Sequence, residues 1–68
     1  MTANQFRSAL ARLELSQLGA ARLLGADGRT ARRWALDERP VPATAAILLR
    51  LLLAGKISVK DIEAAHDR

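Results

Sequence analysis

The chain has 68 residues, and a domain of that length buries only about 60% of the surface its unfolded chain exposes, so strong local propensity or self-association must supplement the core. It has no cysteine and a single histidine, His66, which excludes a disulfide framework or a thiolate metal site, so no metal or cofactor is expected. Eleven Lys and Arg against seven Asp and Glu leave a net charge of +4, a balance that favours polyanionic partners.

Ala, Leu and Arg dominate, Val41 and Val59 are the only valines and tyrosine is missing, a composition that predicts an all-α fold. The longest uncharged apolar stretch, Val41 to Leu49, is too short to span a bilayer, and Met1 to Leu10 lacks a signal-peptide core. A soluble, cytoplasmic protein with no membrane partner is expected.

In chain order, Thr2 with Gln5 has the form of a capping box, and Phe6, Ala9, Leu10 and Leu13 recur at helical spacing, predicting helix 1 over Ala3 to Leu13. Ser16 is a good N-cap for helix 2, whose expected apolar positions are Leu18, Ala20, Ala21 and Leu24, with Gly25 as the stop. Asp27 caps helix 3, from Gly28 to about Leu36, with Ala31, Trp34 and Ala35 inward and Arg29, Arg32 and Arg33 outward. Pro42 suits the first turn of helix 4, which runs through Ala54 to Gly55, and Ser58 with Asp61 opens a short helix 5 holding Val59, Ile62 and Ala65. One domain, residues 1–68, follows.

The informative unit is Gln17 to Trp34, because two helices crossing closely through a tight turn need small residues at defined offsets. Ala21 supplies the small contact and Gly25 the positive φ, while Ala20, Leu24, Ala26, Ala31 and Trp34 fill the buried positions. With Ser16-Gln17, Ala21, Leu24-Gly25 and Trp34 in this register, the chain resembles the lambda-repressor and Cro type of helix-turn-helix family. The resemblance covers roughly residues 4 to 54.

That resemblance implies a five-helix lambda-repressor-like domain with the helix-turn-helix at 16–36. It also implies double-stranded DNA as partner, with helix 3 in the major groove. The matched base-contact positions are Gly28, Arg29 and Arg33, and Gln17, Thr30, Arg32 and Arg39 are expected at phosphates. Arginine donates in parallel to O6 and N7 of guanine, so Arg29 and Arg33 imply a half-site with at least one G·C pair. Two positions depart from the family pattern. Gly28 stands where relatives carry a base-reading polar side chain, and Asp37 stands where a helix-ending glycine is usual, so a different exit from helix 3 is expected.

Without a stacking or catalytic context, Trp34 reads as a core residue, and His66 reads as a solvent-facing histidine near a frayed end. Asp61, Glu63 and Asp67 read as capping and solubilising groups, and no nucleophile, phosphate loop or cofactor motif is present, so no enzymatic activity is expected. Leucine and isoleucine populate nearly the whole circumference of helix 4. A helix apolar on every side needs a second cover, which predicts a homodimer through region 43–68, using Leu48, Leu49, Leu52, Leu53, Val59 and Ile62.

The expected function is a sequence-specific transcriptional regulator of prokaryotic or phage type, associated with the nucleoid. It would act as a repressor on an inverted repeat, with no separate effector domain and no small-molecule effector evident. The rival reading is a protein-interaction module, antitoxin-like or an assembly adaptor, that uses the leucine-rich helix 4.

Overall fold

Hydrogen bonds within a few residues of each helix end decide where the helices lie. In the computed structural model, which describes residues 1–67, these are α1 (Ala3–Leu13), α2 (Gln17–Leu23), α3 (Gly28–Ala35), α4 (Ala43–Leu53) and α5 (Val59–His66). The described residues contain no strand. Arg68, the last residue of the expected dimerisation region, lies outside them.

Four of the five helices open on a side-chain cap. Thr2 Oγ1 accepts from the Gln5 amide at 3.1 Å while Gln5 Oε1 accepts from the Thr2 amide at 2.8 Å, and Ser58 and Asp61 repeat this reciprocal box at α5. Ser16 Oγ accepts from Gly19 N at 2.9 Å, and Asp27 Oδ1 accepts from Thr30 N at 2.7 Å. Each satisfies one of the amides a helix start leaves without an intrahelical partner. Pro42 is the flanking residue before α4 rather than part of its first turn.

The first four helices end alike. A residue with positive φ, at Glu14, Gly25, Asp37 and Gly55, donates back within the last turn, and the next residue donates five positions back. The second bonds run from Leu15 to Leu10, Ala26 to Ala21, Glu38 to Arg33 and Lys56 to Leu51. This paired closure satisfies the last carbonyls. The expectation that Asp37 would change the exit from α3 is therefore corrected: at φ 61° Asp37 adopts the left-handed conformation that glycine would take. The bonds from Asp37 N to Trp34 O (3.4 Å) and Glu38 N to Arg33 O (2.9 Å) hold it there against a penalty of roughly 1–2 kcal/mol.

Helix α1 packs on α3 and α4, and α2 packs on α3 and on α5. Phe6 and Leu49 are fully buried at the centre, and the Phe6 ring meets Trp34 edge to face at 5.7 Å and 88°. Seven of the fifteen buried apolar residues among those described are alanine, so the helix axes approach closely without large side chains between them. Arg7 ties α1 to the end of α3 by donating to the Ala35 carbonyl, and it also donates to Asn4 Oδ1.

Two expectations about faces are corrected. Leu18 was expected inward but is 50% exposed, and Leu23 takes the buried place beside Ala20 and Ala21, because α5 covers that side of α2. Leu49, Leu52 and Ile62, expected in a dimer interface, lie at 8% exposure or less in the core of the single chain, while Leu48 and Val59 are half-buried against it and Leu53 is half-buried elsewhere on α4. Leu49, Leu52 and Ile62 are thus covered by their own chain, whereas Leu48, Leu53 and Val59 keep part of their surface open. His66 remains on the surface but is not free, since its Nε2 lies 2.7 Å from the Leu23 carbonyl oxygen. None of the helices is long and apolar enough to cross a membrane.

Candidate nucleic-acid interface

The connection between α2 and α3 spans only Leu24 to Asp27. Gly25, at φ 74°, turns the chain, and the Asp27 cap starts α3 immediately afterwards. Such a short connection leaves the two helices little freedom to separate, so surface residues at their facing starts keep fixed relative positions.

Residues three and four apart share one face of a helix, and on α3 this brings Arg29, Arg32 and Arg33 together opposite the buried Ala31, Trp34 and Ala35. Arg29 and Arg32 are exposed and Arg33 is half-buried. Thr30 is also half-buried, at the edge of the row. Leu36, one turn beyond Arg32 and Arg33, is 51% exposed on the same side. The face is thus a row of guanidinium groups that ends in an apolar side chain.

The remaining expected contacts are placed around this row. Gln17, the first residue of α2, is exposed. Arg39 is exposed in the segment after α3, and its amide donates to the Arg33 carbonyl at 3.3 Å, which anchors it near the C-terminal end of the arginine row. Gly28 opens α3 and is half-buried. A β-carbon built there would lie 3.2 Å from Leu18 Cδ1, so Leu18 occupies the space a side chain at 28 would need. The position of Leu18 beside the start of α3 was missed from sequence; glycine at 28 next to a leucine near the start of α2 was the one available signal.

Asp27 is the acidic group closest to the arginines in its electrostatic effect. Its carboxyl is held below the ordinary value of 3.8 by the hydrogen bond from the Thr30 amide first, then by the Thr30 side chain, with smaller contributions from Arg29 and Arg33. An ionised cap reinforces the helix start through the dipole.

The dimer residues expected from sequence do not form one surface. Apart from the three in the core, Leu53 faces the α1 side with Arg12 and Arg50, whereas Leu48 lines a groove with Leu24, Ile57 and Ile62 beside α5. Ile47, with 53% exposure, is the most exposed large apolar residue of α4, and Leu51 lies one turn on from it. No family model matches the chain, and no curated protein or solved structure is significantly similar to it.

Proposed function

We propose that the chain is a double-stranded DNA-binding domain. The observation that carries this reading is the row of exposed Arg29 and Arg32 with half-buried Arg33 on a short helix whose start is packed against the start of the preceding helix. An α-helix of this size fits the major groove, where a guanidinium donates two parallel bonds to guanine. Arg29, nearest the start of α3, and Arg33 are the base-reading residues. Gly28 brings its backbone close to the groove without a side chain of its own. Arg32, Arg39, Thr30 and Gln17 fix register through phosphate oxygens.

More particularly, the domain is a repressor of the lambda-repressor and Cro type that occupies an inverted repeat as a homodimer. Steric occlusion of a promoter needs only binding. The pairing surface is the outer face of α4 around Ile47, Leu48 and Leu51, which the core leaves partly uncovered. Two-fold pairing in this class sets recognition helices about 34 Å apart, one turn of duplex.

Selection from a random duplex library with wild type and with Arg29→Ala tests the reading. The wild type is expected to enrich an inverted repeat, and Arg29→Ala to lose preference at one base pair per half-site, at about 1–3 kcal/mol. A pool without symmetry or enrichment would remove both the base-reading role and the paired operator.

A further inference from the structure

Among the described residues Leu18 is one of three large apolar residues with half or more of their surface exposed, and its place beside the start of α3 is not explained by the core. We propose that Leu18 is a specificity-determining residue that reads the 5-methyl group of a thymine in the major groove. The proposal rests on the DNA-binding reading and adds a base preference to it. Three observations lead there.

First, the Leu18 side chain lies over Gly28, with Cδ1 3.2 Å from the position of a β-carbon on that glycine. The first residue of α3 therefore contributes no polar side chain, and the leucine methyl groups stand in its place. Second, this apolar spot adjoins exposed Arg29 by one residue along α3, so it is set within a surface suited to a polyanion rather than in an isolated apolar patch. Third, Leu18 keeps half of its surface open.

The major-groove edges of guanine, cytosine and adenine present hydrogen-bond donors and acceptors, and only thymine adds an apolar group. A leucine methyl held at the groove-facing start of a recognition helix displaces water from the polar edge of any other base without replacing its hydrogen bonds, and gains apolar contact against the thymine methyl. Removing one methyl from such a contact changes affinity by about three- to fivefold. Arg29 would then read guanine and Leu18 thymine at neighbouring positions of one half-site.

The test couples a change in the protein to a change in the DNA. Each thymine of the selected operator is replaced in turn by deoxyuridine, which keeps the pairing and removes only the methyl. Affinity is measured for wild type, Leu18→Ala and Leu18→Gln, and thermal unfolding of each protein is followed alongside. One deoxyuridine position per half-site is expected to weaken wild type about three- to fivefold and to leave both variants unchanged. Equal losses in wild type and variants, or no thymine whose methyl matters, overturn the role of Leu18 while the DNA-binding reading stands. If neither wild type nor variants bind duplex DNA, the DNA-binding reading fails and this role fails with it. Leu18→Gln retains a long helix-compatible side chain, so the comparison survives even if the alanine variant unfolds.

Discussion

The imidazole Nε2 of His66 lies 2.7 Å from the carbonyl oxygen of Leu23, joining the last turn of α5 to the last residue of α2. A carbonyl only accepts, so Nε2 carries the proton in this contact. The Leu23 carbonyl is among the last four of α2, which have no intrahelical donor. The bond thus fastens α5 to the turn that launches α3, and the same ring lies 3.7 Å from where a β-carbon on Gly25 would be. His66→Ala is expected to lower stability by about 1 kcal/mol, a fall of roughly 4–8 °C in Tm for a domain of this size. An unchanged Tm would show that water replaces the ring without loss.

The left-handed helix ends yield a second prediction. Glu14 and Asp37 hold φ values of 57° and 61°, where a β-carbon crowds the following carbonyl and glycine does not. Aspartate visits this conformation more readily than glutamate. Glu14→Gly should therefore stabilise by up to about 1 kcal/mol, and Asp37→Gly by less. Chemical denaturation of the two variants checks the order, and a loss of stability in Glu14→Gly would contradict it.

Four of the helix starts were readable in the sequence because caps are local, whereas the left-handed ends at Glu14 and Asp37 were not. Thr2 with Gln5, Ser16, Asp27, and Ser58 with Asp61 all make the bonds their spacing predicts. The inward face of α2 was not readable. Leu18 and Leu23 lie on different sides of a seven-residue helix that Leu24 closes, and the packing of α5 decides which of them is covered. The same holds for α4, where Leu49 and Leu52 look like surplus leucine until α1 is seen to lie across the helix. The arginine row of the candidate site was readable from helical spacing, whereas Leu18 over Gly28 depends on the approach of two helices, which no single segment encodes.

Asp27 makes acid stability a test of the α3 cap. Its folded carboxyl titrates below the ordinary 3.8, so its contribution is complete above that value and is lost as pH falls through the lower folded one. Thermal unfolding of wild type and Asp27→Asn between about pH 6 and 2 should show a wild-type advantage at the upper end that closes at the lower end. Parallel curves would assign no part of the acid response to Asp27.

The outer face of α4 should control the oligomeric state. Ile47 is 53% exposed and makes little use of the monomer core, so Ile47→Asp should leave the fold intact, with a helical spectrum and Tm close to wild type. Sedimentation should then find wild type as a dimer and the variant as a monomer. A folded monomer in both would remove pairing through this face.

Duplex DNA affinity as a function of salt tests the central claim most directly. For a random-sequence duplex, the wild type should bind at low salt, and the log of its affinity should fall linearly with the log of salt concentration, with a slope of about −0.9 for each phosphate neutralised. Arg32→Ala should reduce that slope in magnitude by about one contact per subunit while leaving the fold unchanged. No measurable binding to duplex DNA at low salt, by a wild-type protein shown to be folded, would contradict the account and favour a protein-binding role for α4.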